Sequence, residues 1–295
     1  MKDLQMNQLK IVSTLFICLL TANFSSLATA DVLKRVSGFK MPESVIASKD
    51  GRVFVSEIGE FGKDGDGQIT VIEKDGTARV FAMGLDDPKG LAIVGDTLFV
   101  ADNHRVVKIN ADGEVQAFVA EQDFPEKPIF LNDLESDQYG NLYVSDSGDL
   151  KGAGGAIYKI SKQGQVSLVI NGKQDARILA PNGLLMGDTE NCIMTVDFAS
   201  GILYRLEMKT GQLIEVANGF GGGDGIVKGK KDQFYVSDWK NGKVFSVKLE
   251  KGAVANVELL KEGFVAAADI APSQDGKFLL VPDMKAGELV YLPIK

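Results

Sequence analysis

The chain has 295 residues, of which 45% are hydrophobic, and a formal net charge of −8, so it can bury a large core. Its acidity argues against nucleic acid and anionic membrane surfaces as partners, because both are themselves negatively charged. Beyond the first thirty residues its only cysteine is Cys192, which excludes an intramolecular disulfide. Cys192 lies in an alternating apolar run and is interpreted as a small buried hydrophobe.

Residues 1–30 have the pattern of a secretory signal sequence. A basic lead precedes the apolar run IVSTLFICLL, which is too short to cross a bilayer, and the small residues ATA follow. We expect cleavage after Ala30 and one mature domain over residues 31–295. The mature chain would then be periplasmic or secreted and free of the membrane, whereas an uncleaved anchor is the alternative.

The rest of the chain repeats one pattern six times. Each unit has a polar leading residue, an apolar run, a turn rich in Asp, Gly or Asn, and a β-branched or aromatic run that ends in an acid. The leading residues are Glu43, Lys89, Asn132, Asn182, Asp224 and Asp269. The six acids, called terminal acids below, are Glu57, Asp102, Asp146, Asp197, Asp238 and Asp283.

A third run follows each terminal acid, and a fourth usually follows a DG, QG or TG turn. Four short strands in each of six units of about 45 residues predict an all-β, six-bladed β-propeller with four antiparallel strands per blade. The sixth unit ends after its third strand, ELVYLPIK. We expect the mature N-terminal segment DVLKRVSGF to supply the missing strand and close the ring, which leaves no blade edge unpaired. A linear solenoid or two β-sandwiches would not explain the missing strand.

In a propeller the first strand of each blade lines the central channel, so the six leading residues should meet at one channel mouth. Carboxylates crowded there repel one another unless a cation neutralises them. Their oxygens and those of the two Asn suit Ca2+, or another hard divalent cation, better than zinc or copper. Ordinary turn chemistry is the alternative. Glu43 is a poor turn former, however, and the pair Asn132–Asp133 is pressed against Leu134, which favours the ion site.

Four segments carry a family resemblance. PESVIASKDGRVFVSE, NDLESDQYGNLYVSD, PNGLLMG and GDGIVKGKKDQFYVSD resemble, in order and spacing, motifs of the senescence-marker-protein/gluconolactonase/luciferin-regenerating (LRE-like) superfamily of six-bladed propellers. ADNHRVVKI is similar to the NHL-repeat consensus. The resemblance implies one calcium ion, or another divalent ion, held by Glu43, Asn132, Asn182 and Asp224. It also implies hydrolysis of lactones, esters or organophosphates.

On this resemblance Asp224 is the expected general base, with Asp269 as the second candidate. The ion would polarise the substrate carbonyl and orient a water molecule. The residues expected to bind a small-molecule substrate are Phe130, Asn132, Asp133 and Lys89. Sugar-lactonase members of the superfamily commonly have an Arg at the position of Phe130, so its replacement favours a more apolar substrate.

Two further hypotheses stay open. The chain could be a non-catalytic propeller that binds a ligand or a protein partner, or a structural protein whose ion only stabilises the fold. Lys89 is unexpected in a cation site and must point away, pair with Asp269 or Glu43, or bind an anionic group of the substrate. His104, within the NHL-like segment, is interpreted as a structural loop residue.

Overall fold

The structure is a computed structural model that describes residues 33–187, 191–230, 232–249 and 255–294. The signal sequence predicted for residues 1–30 lies outside these ranges. Within them the helical structure is one 3-10 turn, Glu121–Asp123, and no helix is long and apolar enough to span a membrane.

Six four-stranded antiparallel sheets form the fold, one for each sequence repeat, which confirms the six-bladed propeller. Blades one to five take their four strands from consecutive stretches of chain, and blade six combines β22, β23 and β24 with β1. The strands are β1 (Lys34–Ser37), β2 (Pro42–Ala47), β3 (Val53–Glu57), β4 (Gly67–Ile72), β5 (Ala78–Leu85), β6 (Pro88–Val94), β7 (Thr97–Asp102), β8 (Arg105–Ile109), β9 (Val115–Val119), β10 (Leu131–Ser136), β11 (Leu142–Asp146), β12 (Ala156–Ile160), β13 (Val166–Asn171), β14 (Pro181–Met186), β15 (Cys192–Asp197), β16 (Ile202–Glu207), β17 (Gln212–Asn218), β18 (Gly223–Lys228), β19 (Gln233–Asp238), β20 (Lys243–Lys248), β21 (Asn256–Glu262), β22 (Ala271–Pro272), β23 (Phe278–Asp283) and β24 (Glu288–Pro293).

The N-terminal strand closes the ring as the sequence predicts. β1 pairs antiparallel with β24, from Lys34 opposite Tyr291 to Ser37 opposite Glu288. Blade six therefore contains strands from both ends of the described chain, and its outer edge is covered by β1. Such closure removes the free edge that would otherwise invite pairing with another chain.

The second strand of each blade is buried on both faces because neighbouring blades pack against it. β15, with the sequence CIMTVD, is buried along its whole length, whereas the outermost strand β21, NVELLKE, is almost entirely exposed. The core consequently lies between blades: Phe54 and Ile69 of blade one, for example, pack with Leu91 and Val100 of blade two. Full burial of one such side chain contributes about 1.5–3 kcal/mol to stability.

The terminal acids fasten the segments that lead into the inner strands. All six are buried, with at most 2% of each residue exposed. Each accepts backbone N–H donors from the loop before the first strand of its own blade. The donors are Lys40 for Glu57, Asp86 for Asp102, Ile129 and Phe130 for Asp146, Leu179 and Ala180 for Asp197, Gly222 for Asp238, and Val265 and Ala266 for Asp283. The repeated acid is thus a structural element that positions the leading residue of its blade.

Candidate functional site at the channel mouth

A repeated irregularity at the start of the inner strands decides which side chains face the cavity. In blade one Pro42 pairs with Glu57, and regular pairing resumes only between Val45 and Val55. Blades two to five show the same register shift at the same place. In each of these blades the leading residue directly follows the first paired residue, as Glu43 follows Pro42. Bulges of this kind turn a side chain in a new direction. Five leading residues consequently line one cavity: Glu43, Lys89, Asn132, Asn182 and Asp224. They are called the polar ring below.

Blade six departs from the predicted ring. Ala267 pairs with Asp283, so the position equivalent to Glu43 is occupied by Ala268. Asp269 lies one residue further along, in the register of Ser44, and it is not among the residues that line the cavity. The prediction that Asp269 completes the ring is therefore wrong, because the sequence repeat marks the start of this strand only to within one residue.

Three glycines let the inner strands approach closely enough to form the polar ring. Gly90, Gly183 and Gly225 each follow a leading residue directly. A Cβ atom on them would lie 2.5 Å from the backbone oxygen of Asn132, 2.3 Å from that of Asp224 and 2.4 Å from Oδ1 of Asp269, respectively. The Gly after the leading residue is therefore required by the contact between neighbouring blades.

The ring carboxylates are buried without the partners that a buried charge needs. Glu43 is 3% exposed and Asp224 is 4% exposed. Glu43 Oε2, Asp224 Oδ1 and Asn182 Oδ1 are buried and accept no hydrogen bond. Burial raises the pKa of Glu43 and of Asp224 well above the usual range, and repulsion by neighbouring carboxylates, Asp269 among them, adds to the effect.

The fourth predicted ligand is held by hydrogen bonds to its amide. Asn132 Nδ2 donates to Ser147 Oγ at 3.1 Å, and that hydroxyl donates to the backbone oxygen of Pro181 at 2.8 Å. This chain fixes the orientation of the amide, because the nitrogen is engaged on one side. Oδ1 of Asn132 remains as the atom that can act as a ligand.

Lys89 is fully buried, and the structure shows where its ammonium group goes. Nζ donates to the backbone oxygen of Asp87 at 3.0 Å and lies 4.3 Å from the ring centre of Phe130. It forms no ion pair with Glu43 or Asp269 among the contacts of the described residues. Burial lowers the pKa of Lys89, and the carboxylates of Glu43, Asp87 and Asp102 oppose that change.

Two acids lie in a layer beneath the polar ring and are satisfied by hydrogen bonds. Asp133 accepts from the backbone N–H of Leu134 at 2.7 Å and of Leu184 at 2.6 Å. Asp269 Oδ2 accepts from the Ser44 hydroxyl at 2.6 Å. Burial raises the pKa of Asp133 well above its usual range and that of Asp269 to about 7. Neither residue lines the cavity, so the structure does not place Asp133 where the predicted substrate contact requires it.

Apolar side chains form the wall above the polar ring and enclose a cavity of about 290 Å3. The wall residues are Ile58, Phe61, Phe130, Leu150, Phe198, Trp239 and Met284. Phe130, predicted from the sequence to contact substrate, is among them. Four others, namely Ile58, Phe198, Trp239 and Met284, directly follow a terminal acid. An apolar residue directly after a terminal acid is therefore a signal in the sequence for the wall.

The donor set of the polar ring fits a hard cation. In the described part of the chain no group of three or more His, Cys, Asp or Glu has the arrangement of a metal site. The polar ring offers two carboxylates and two amides instead, and three of its oxygens are buried without a partner. Calcium accepts both kinds of oxygen and takes six to eight ligands, which leaves positions for water or substrate.

Fold and site together define a β-propeller with a small-molecule cavity at its channel mouth. Residues 91–262 match the family model described as SMP-30/Gluconolactonase/LRE-like region, more than half of the chain, so the chain belongs to this family. Its members are generally lactonase-type hydrolases. No significant match was found among curated proteins.

Solved structures of similar shape include virginiamycin B lyase from Staphylococcus aureus, with a TM-score of 0.61 and 13% sequence identity. A catalytically inactive variant of that lyase with quinupristin has a TM-score of 0.61 and 14% identity. Each likeness covers 90% of this chain and 99% of the other. At such identities the likeness shows the fold alone. The family match indicates a lactonase-like propeller, for which a small-molecule substrate is plausible.

Proposed function

We propose that the chain is an exported hydrolase of apolar lactones or esters that depends on a divalent cation, with Ca2+ as the ion. One observation carries the proposal: Glu43 Oε2, Asp224 Oδ1 and Asn182 Oδ1 are buried without partners at the floor of an apolar cavity. Leaving such oxygens unpaired costs stability, so their retention favours a ligand.

In this proposal Glu43, Asn132, Asn182 and Asp224 hold the ion. When bound, Ca2+ supplies a Lewis acid for the carbonyl oxygen of the substrate. Asp224 accepts the proton of the attacking water on the carboxylate oxygen that does not hold the ion, since a carboxylate has two acceptor oxygens. The carboxylate form that a base requires is restored by a neighbouring positive charge, which lowers the raised pKa of Asp224. Asp269, below the cavity, is not assigned a proton-transfer step.

The wall excludes water and binds the apolar part of the substrate. Phe130, Phe198 and Trp239 offer aromatic surfaces at the cavity, and no Arg fork for sugar hydroxyls stands at the position of Phe130. Aromatic side chains bind apolar groups through area and ring geometry. This lining supports an aryl ester or an alkyl-substituted lactone in preference to a sugar lactone.

A non-catalytic binding propeller is the second candidate, and Lys89 is the observation that favours it. Its ammonium group lies close enough to Glu43 to shift the pKa of that carboxyl downward, so part of the negative charge is balanced without an ion. The cavity would then bind an apolar ligand or a protein side chain without turnover.

Lyase chemistry has less support. A His-to-Ala variant of the structural neighbour is catalytically inactive. The single histidine of this chain, His104, contacts the backbone oxygen of Ile129 at 3.1 Å through Nε2 and does not line the cavity. A mechanism that needs a histidine in the pocket therefore has no residue to perform it.

The test begins with a calorimetric calcium titration of the chelator-stripped chain over residues 31–295. We expect one ion per chain, and Asn182→Ala should weaken its binding about tenfold or more, which corresponds to about 1.4 kcal/mol. Asn218→Ala, at an exposed asparagine on β17, is the matched control and should leave the affinity unchanged.

Turnover is then measured with aryl esters and alkyl lactones. Asp224→Asn should abolish hydrolysis while the circular dichroism spectrum of the fold stays the same. Calcium binding without any hydrolysis would favour the second candidate, and absence of calcium binding would overturn the ion site.

A further inference from the structure

The wall of the cavity has two exposed lysines stacked on its aromatic residues. Lys240 Nζ lies 4.3 Å from the ring centre of Phe198 and donates to the backbone oxygen of that residue at 3.4 Å. Lys285 Nζ lies 3.9 Å from the ring centre of Trp239. Both lysines are exposed, and within the described part of the chain neither forms an ion pair with an acid. Their charge is thus free to act on a molecule in the cavity.

The two lysines occupy equivalent places in successive blades. Lys240 is the second residue after the terminal acid of blade five, and Lys285 is the second after that of blade six. The ammonium group of each lysine lies over the aromatic wall residue of the preceding blade. The rings of Phe198 and Trp239 are 6.1 Å apart between centroids, and Trp239 Nε1 donates to Met284 Sδ at 3.2 Å. This side of the mouth is therefore one aromatic surface with two cations over it.

The charge of the mouth varies along its rim. The terminal acids of blades five and six, Asp238 and Asp283, are buried and accept backbone N–H groups of their own loops. The loop of blade one, the next blade around the ring, has Glu60, Asp64 and Asp66 against one lysine, Lys63.

The floor of the cavity is occupied in the proposed function by the ion and the scissile carbonyl, which leaves the rim for the other end of the substrate. At the rim of blades five and six the two lysines attract an anionic group.

We propose that the substrate of this site is an ester or lactone with an apolar body that ends in a carboxylate, and that Lys240 and Lys285 bind this carboxylate. The inference rests on the proposed function, in which the scissile carbonyl lies at the polar ring. The body of the substrate then lies along Phe198 and Trp239, and its anionic end emerges beside the two ammonium groups. A cation over an aromatic face also keeps its hydrogen-bond donors available to an anion.

Binding is tested without turnover, because Trp239 is the only tryptophan of the chain and lies in the wall. Its fluorescence is titrated with 4-phenylbutyrate and with the neutral 4-phenylbutan-1-ol, and the midpoint of each titration is compared. We expect the carboxylate to bind at least about fivefold more tightly, with the preference falling as salt screens the exposed charges. The double variant Lys240→Met, Lys285→Met should bind both compounds equally.

Lys63→Met provides the matched control, since it removes a lysine from the acidic blade-one loop and should leave the preference intact. Equal affinity of the unaltered chain for the two compounds, or an unchanged preference in the double variant, would overturn the inference.

Turnover separates this inference from the proposed function. Hydrolysis of para-nitrophenyl hexanoate and of mono-para-nitrophenyl glutarate is measured, and the double variant should raise KM for the anionic ester alone while kcat stays the same. Hydrolysis of both esters without any carboxylate preference would refute the inference and leave the proposed function standing. Carboxylate binding that depends on the two lysines, without hydrolysis of either ester, would leave Lys240 and Lys285 as a carboxylate site and would refute the proposed function.

Discussion

Two sets of acids are buried in this propeller to the same degree, yet their surroundings differ. The terminal acid Asp197 is wholly buried and accepts hydrogen bonds from Leu179, Ala180, Ala199 and Ser200. Asp224, in the polar ring, is almost as deeply buried, and its Oδ1 has no partner. Burial alone therefore does not distinguish a structural acid from a functional one. The number of hydrogen-bond donors around the carboxylate does distinguish them. The fold surrounds Asp197 with donors and leaves Asp224 Oδ1 without one.

The physical reason lies in the position of each acid along its blade. A terminal acid stands at the end of the second strand, beside the loop that enters the inner strand. The N–H groups of that loop have no strand partner and donate to the acid instead. A leading residue stands in the bulge of the inner strand and faces the open cavity instead. The fold therefore tolerates unpaired carboxylates at the mouth, a cost of the kind that functional sites impose on stability.

The largest expected effect comes from making the same substitution in both sets. Asp197→Asn replaces an acceptor by a donor that faces several N–H groups, so the free energy of unfolding should fall by about 2–4 kcal/mol. Asp224→Asn replaces a buried carboxyl group whose Oδ1 has no partner and should leave the free energy of unfolding unchanged or higher. Urea denaturation in the presence of a chelator measures both. Equal losses in the two variants would show that the distinction between the sets is false.

A second effect, spread over about three pH units, is expected from the acid below the ring. The pKa of Asp269 is about 7 in the folded chain, raised by burial, against 3.8 ordinarily. Between about pH 4 and 7 the unfolded chain has lost the proton that the folded chain keeps, so stability falls as the pH rises, by at most about 1.4 kcal/mol per unit. The contribution is complete below pH 3.8 and is lost once the pH exceeds 7.

The measurement is the free energy of unfolding of the chelated protein at several pH values. Asp269→Asn should make the decline shallower without removing it, because burial also raises the pKa of Glu43, Asp133 and Asp224. Asp96→Asn, at an exposed acid beside strand β7, should keep the slope of the unaltered chain. A decline that persists unchanged in Asp269→Asn would mean that other buried acids account for it.

The sequence predicted the fold because each blade repeats the same alternation of apolar runs and turns, and because a strand was visibly missing from the sixth repeat. It predicted five of the six ring positions for the same reason. Asp269 was misplaced because blade six has Ala268 at the ring position, and the nearest polar residue was taken for it. The wall was missed because Phe198 and Trp239 read as ordinary hydrophobic residues after a strand. Whether an oxygen has a partner depends on how the loops and strands pack in the folded chain, which the repeat pattern alone does not show.

The smallest effect is expected from Ser147, which has hydrogen-bond partners of its own and holds the side-chain amide of Asn132 in the polar ring. Ser147→Ala removes the hydroxyl that bonds Asn132 Nδ2 and the Pro181 oxygen, and should cost about 1 kcal/mol of stability. Calcium affinity should fall about threefold, because the freed amide must be ordered again on binding.

Ser145→Ala is the matched control: that hydroxyl is equally buried but accepts from the backbone N–H of Asp133. A similar loss of stability with unchanged calcium affinity in Ser145→Ala would separate the positioning of a ligand from the support of the fold. An equal fall in affinity in both variants would show that general loosening of the inner strand is responsible.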